Sequence, residues 1–123
     1  MKKVEYELFI AKVYLKCGSY HESLFQTLKI IDRTEEYQMT LLNQETMVHL
    51  AEIHLEMGAY YEALVVLNDI KATEKLKIKV CTLRARVVVF LSHEVHYNEV
   101  GAVAMKKAVI KELDEMVILI VTL

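Results

Sequence analysis

Residues 11–24 read AKVYLKCGSYHESL, and residues 51–64 read AEIHLEMGAYYEAL. Ala11, Leu15, Gly18, Tyr20, Glu22 and Leu24 return as Ala51, Leu55, Gly58, Tyr60, Glu62 and Leu64. Three further pairs keep size and polarity: Val13 with Ile53, Cys17 with Met57, and Ser23 with Ala63. Six identities in fourteen positions, with a glycine in register, mark an internal repeat with a period of 40 residues. A period of that length points to a stacked array of helical units, each burying its apolar face on the next.

Working outward from the doubled phrase, Val4, Leu8, Ala11 and Leu15 form a stripe at helix spacing, ending at Gly18. Glycine takes a left-handed conformation readily and so stops a helix. Ser19-Tyr20-His21-Glu22 reads as a capping box, in which hydroxyl and carboxylate satisfy each other's backbone amides. A second helix therefore starts near Tyr20, with Leu24, Leu28 and Ile31 on its buried side. The two helices fold back antiparallel, because the break between them is only about two residues. Residues 32–36, DRTEE, read as a polar interval. A third helix is expected from about Gln38 to Met57, with Leu41, Val48, Ala51 and Leu55 in line; Asn43 could cap a later start. Gly58 ends it, and a fourth helix runs from about Tyr60 to Lys71. Ala59 stands where Ser19 caps, so this start is expected to be weaker by about 1 kcal/mol. Thr73 opens a fifth helix with the stripe Leu76, Val80, Leu83, Val87 and Phe90. After a break at residues 92–98, a last helix carries Ala102, Met105, Val109, Leu113, Met116 and Ile120. Residues 117–123, VILIVTL, are β-branched enough to form a strand, but the helical stripe enters them in phase.

A chain of 123 residues is one domain, here with an apolar fraction of 54% and a mean hydropathy of +0.25. Such richness suits elements covered on two sides by neighbours. No run approaches the roughly 18 apolar residues of a membrane span, and charges interrupt the start, so neither a span nor a signal peptide is expected. Cys17 and Cys81 lie in helical patterns and read as reduced thiols of a cytoplasmic or nuclear protein. Charge is uneven. Residues 34–70 hold seven acids and no Lys or Arg, whereas residues 71–86 hold six basic side chains against Glu74.

The doubled phrase resembles the tetratricopeptide repeat, a pair of antiparallel helices. That family has a small residue midway along its first helix, here Ala11 and Ala51, and a turn glycine, here Gly18 and Gly58. A tyrosine follows, here Tyr20 and Tyr60, then a small and an apolar residue, here Ser23-Leu24 and Ala63-Leu64. The resemblance implies an all-α, right-handed α-solenoid of antiparallel helix hairpins with about six helices. Its units are residues 4–37, 40–72 and 74–123 of a single domain. It has departures. The period is 40 where the family commonly has 34, Glu7 occupies a position of large apolar residues, and no proline ends a unit. The third unit is degenerate: Tyr97-Asn98-Glu99-Val100 echoes Tyr20-His21-Glu22-Ser23, but Val95 stands at the glycine position.

The resemblance further implies a non-catalytic scaffold that binds a peptide or helix of a protein partner, as part of a larger complex. The first helices of successive units would line the groove, with Glu5, Phe9, Lys12 and Lys16 from one and Glu45, His49, Glu52 and Glu56 from the next. Leu8 and Val48 lie among them. Lys12 is equivalent to Glu52 and Lys16 to Glu56, giving either ion pairs between units or a groove acidic at one end. Glu52 stands where the family's clamp for C-terminal carboxylates has a basic or amide group, so a basic or mixed helical ligand is expected. Residues alone offer a rival: Lys71, Lys75, Lys77, Lys79, Arg84 and Arg86 could meet nucleic acid, although no aromatic residue interleaves them. His93-Glu94-Val95-His96 spaces its histidines by three, where a zinc protease helix needs four, so no metal, cofactor or small-molecule substrate is expected. The apolar C-terminus offers a route to self-association.

Overall fold

The computed structural model describes residues 2–71 and 73–94, with the isolated positions Lys107, Ile110, Lys111, Asp114, Glu115 and Ile118; of residues 74 and 92–94 it describes the backbone alone. All described regular structure is helical: α1 (Lys2–Lys16), α2 (Tyr20–Glu36), α3 (Thr40–Glu56), α4 (Tyr60–Asp69) and α5 (Glu74–Glu94). The expected all-α architecture is therefore present. The chain divides into two compact units, residues 1–71 and 72–123, where a single domain is expected.

In the first unit each helix packs on the next in the chain, and α1 also touches α3. Three turns, built alike, produce this order. The Ser19 amide donates to the Tyr14 carbonyl at 2.9 Å, Met39 to Thr34 at 2.8 Å and Ala59 to His54 at 2.8 Å. One residue earlier, Gly18 donates to Leu15, Gln38 to Glu35 and Gly58 to Leu55, at 3.1–3.2 Å. This is the Schellman pattern, which satisfies the last carbonyls of a helix and needs a left-handed residue at its centre. That residue is Gly18 at φ +80°, Gln38 at φ +54° and Gly58 at φ +77°. New helices start at Tyr20, Thr40 and Tyr60, so the helices repeat every 20 residues within the 40-residue hairpin period.

The Schellman turns correct three expectations. Residues 32–36 are not an interval but the last turn of α2. Asn43 lies inside α3 and donates from its side chain to Thr34 Oγ1 at 3.0 Å, so it is no cap. The capping box at Ser19 does not form, nor does any side-chain cap at Met39 or Ala59. The physical reason is that the Ser19 amide already donates to Tyr14, leaving the Glu22 carboxylate nothing to accept. Ala59 has nearly the same backbone as Ser19 (φ −87°, ψ 68° against −84°, 69°), so it forfeits no cap and its helix is not weakened on that account.

The core of the unit centres on Val4, Leu8, Ala11 and Ile30, with Met39 and Leu42 packed against it. Helix α2 buries Ser23, Thr27, Ile30, Ile31 and Thr34, while Leu28 is exposed and Leu24 half-buried, contrary to the expected stripe. Hydroxyl residues can line a buried face because their own helix satisfies them: Thr27 donates to the Ser23 carbonyl at 2.7 Å, and Thr34 to Ile31 at 3.0 Å. Their small side chains let α2 sit between α1 and α3. Ser23 Oγ donates to the Ala11 carbonyl at 2.6 Å, a direct bond between α2 and the backbone of α1. Helix α3 is buried nearly all round its second half, through Val48, His49, Leu50, Ala51, Ile53 and Leu55. At its first turn Leu41, expected on the buried stripe, is 65% exposed. Glu7, the misfit of the repeat pattern, holds Arg33 on α2 instead of an apolar neighbour, with Arg33 Nη1 donating to both carboxylate oxygens at 2.6 and 2.8 Å.

In the second unit, α5 buries Val80, Leu83 and Val87 of the expected stripe, along with Cys81, Ala85, Val88 and Leu91. Leu76 is half-buried and Phe90 exposed. The expected break begins later than residue 92, since α5 reaches Glu94. Most of the expected last helix lies outside the described residues, but the six described positions in it, Ile118 included, are helical.

Candidate functional site

The helices expected to line a groove are α1 and α3, and the two are in direct contact. On α1, Glu5, Phe9, Lys12 and Lys16 are all exposed, as the repeat register requires. On α3, Glu56 is exposed, and Glu45 and Glu52 are half-buried. His49 departs from the set. It is 2% exposed, with Nε2 lying 3.2 Å from Ser23 Oγ in the core, and it cannot meet a partner in this state. His54 is the more accessible of the two, and burial still holds its pKa below the ordinary value, partly opposed by Glu62.

Two depressions share Glu5. One, of about 560 Å³, is lined by Glu5 of α1, Thr40, Leu41, Leu42 and Glu45 of α3, and Gln38 and Met39 of the turn that joins α2 to α3. The other, of about 440 Å³, is lined by Lys2, Glu5, Tyr6 and Phe9. The geometry thus places Leu41 with Glu5 and Glu45 in one depression and Tyr6 with Glu5 and Phe9 in the other; Tyr6 and Leu41 are 68% and 65% exposed. Sequence reasoning assigned neither Tyr6 nor Leu41 to the groove. Leu41 hides in the sequence because it keeps helical phase with Val48 and Leu55, yet sits in the first turn of α3, before the neighbouring helices cover it. Lys12 and Lys16 carry no ion pair among the described residues, so the expected bridges to Glu52 and Glu56 are not made.

Other constellations offer less. Ser23 and His49 have the types and separation of a nucleophile and base, but both are buried and the serine proton is held by the Ala11 carbonyl. No substrate could reach them without unfolding α2. Among the described residues, no group of three or more His, Cys, Asp or Glu side chains is placed to hold a metal. Of His93-Glu94-Val95-His96, the last two lie outside the described residues. In the basic stretch, helical spacing puts Lys75, Lys79 and Arg86 on one face of α5 and Lys77 and Arg84 on another. Lys79, Arg84 and Arg86 are already engaged in polar or electrostatic interactions. No described helix is long and apolar enough to cross a membrane. Comparison with family models, curated proteins and solved structures finds no match.

Proposed function

We propose that this chain is a non-catalytic interaction module of the tetratricopeptide kind, binding a helical or extended segment of a protein partner between α1 and α3. One observation carries the reading. Leu41, 65% exposed on α3, lines a depression whose charged residues are Glu5 and Glu45, and Phe9, 64% exposed on α1, lines a second depression that shares Glu5. A surface like this suits an apolar anchor flanked by basic side chains, with the anchor supplying affinity and the charges supplying orientation. The family reading is supported by the doubled phrase together with the repeated Schellman turns. A scaffold role in a larger complex, in the cytoplasm or nucleus, is in keeping with it. The test is affinity for a partner captured on the immobilised chain. Phe9→Asp and Leu41→Asp should each weaken binding tenfold or more, while Val65→Asp, on exposed surface of α4, should leave it intact. Equal loss from all three, or from none, removes the groove from the account.

The nucleic-acid reading keeps one supporting feature, the shared face of Lys75, Lys79 and Arg86. A salt-dependent gel shift abolished by Lys75→Glu would favour it over the groove.

A further inference from the structure

Helices α2 and α4 each pack on α3 but not on each other, and a cleft of about 360 Å³ lies between their C-terminal ends. Its floor is one face of α3, with Thr40, Asn43, Gln44 and Met47 at helical spacing. Glu35, in the last turn of α2, stands on one side, and Asp69, Ile70 and Lys71, where α4 ends, stand on the other. The cleft shares only Thr40 with the depression of Leu41. Its amides turn their nitrogens to the fold. Asn43 Nδ2 donates to Thr34 Oγ1 at 3.0 Å, and Gln44 Nε2 donates to the Lys71 carbonyl at 2.7 Å. The amide oxygens are left over, and Gln44 Oε1 is buried without a hydrogen-bond partner. The Glu35 and Asp69 carboxylates make no ion pair among the described residues. Neither does Lys71, whose single charge does not balance two acids.

We propose that this cleft binds the guanidinium group of an arginine side chain from a partner protein. What the cleft lacks is hydrogen-bond donors that also carry positive charge. Guanidinium supplies several N–H donors in one rigid plane, so it can meet carboxylates on both sides and an amide oxygen below at once. A lysine ammonium is a compact point charge and cannot span them in the same way. The arginine stem has Met47 and Ile70 to lie against. A bare divalent cation gathers about six oxygens to within about 2.6 Å of one point. Among the described residues no three His, Cys, Asp or Glu side chains converge to do that.

The test titrates the isotope-labelled full chain with arginine blocked as its acetyl methylamide, and with the matching lysine and citrulline compounds. The side-chain amide NMR signals of Asn43 and Gln44 report directly on the floor of the cleft. The arginine compound should shift both, with about tenfold higher affinity than either of the others. Glu35→Gln with Asp69→Asn, both at exposed sites, should weaken its binding about tenfold. Lys71→Ala should tighten it by removing the competing charge. Phe9→Asp should leave it unchanged, which separates this cleft from the groove. Absence of shifts at Asn43 and Gln44, equal affinity for the arginine and lysine compounds, or indifference to the double substitution would overturn the inference. So would tighter binding of free arginine than of the blocked compound, or saturation of the same signals by calcium chloride in its place.

Discussion

Replacing Gln38 with glycine should stabilise the first unit. Gln38 sits at φ +54°, in a turn whose counterparts are Gly18 and Gly58. An L-residue in the left-handed region costs roughly 1–2 kcal/mol. Glycine removes that cost but gives back about 0.4–1 kcal/mol through the greater freedom of its unfolded chain. The net gain is about 0.5–1 kcal/mol, or very roughly 3–5 °C in melting temperature for a unit of this size. Gly18→Ala and Gly58→Ala provide the converse, because a Cβ at either position meets nothing within 4 Å and only the backbone conformation is penalised. Each should lose about 1 kcal/mol. Urea unfolding followed by circular dichroism reads all three as midpoint shifts at constant slope. If both glycine substitutions destabilise while Gln38→Gly is neutral or harmful, the middle turn is not built like the other two, and the 20-residue helix period fails with it.

Three further outcomes follow from particular contacts. Ser23→Ala leaves the Ala11 carbonyl and His49 without their hydroxyl partner in a fully buried place, and should lower unfolding stability by about 1–3 kcal/mol; a loss no larger than that of an exposed serine would remove the contact's importance. Because burial holds His54 below its usual value near 6.5, the folded chain binds fewer protons there than the unfolded one. Stability should therefore be complete above that pH and decline as the solution is acidified through it, and His54→Gln should flatten the decline; an unchanged profile in chemical denaturation at several pH values contradicts this. Glu7→Gln should destabilise at low ionic strength and much less in molar salt, since the Arg33 contact is partly solvated. A salt-independent effect would mean that Glu7 acts by packing instead.

How much was legible depended on whether a residue announced its own geometry. Gly18 and Gly58 mark their turns by identity, so two hairpins and the 40-residue period could be read directly. The third turn could not, because Gln38 occupies a glycine's conformation and the preceding DRTEE looks like a loop. In the folded chain Arg33 and Thr34 have partners on other helices, Glu7 and Asn43, which makes a polar string a helix end. The buried face of α2 was misread for a related reason: Ser23, Thr27 and Thr34 bury their hydroxyls against backbone carbonyls while Leu28 stays outside. On α1 the register alone predicts exposure correctly for Glu5, Phe9, Lys12 and Lys16. On α3, which is enclosed on several sides, exposure was misjudged, so His49 goes to the core and Leu41 to the surface.

The central claim is that the α1–α3 groove is the surface used by the partner. Site-specific photo-crosslinking in cells tests it most directly, with a benzophenone amino acid placed in turn at Phe9, Leu41, Tyr61 and Val65, all more than half exposed. The account predicts one discrete adduct shared by positions 9 and 41 and absent from 61 and 65. An adduct confined to Tyr61 and Val65 on α4, with none from the groove, would contradict it.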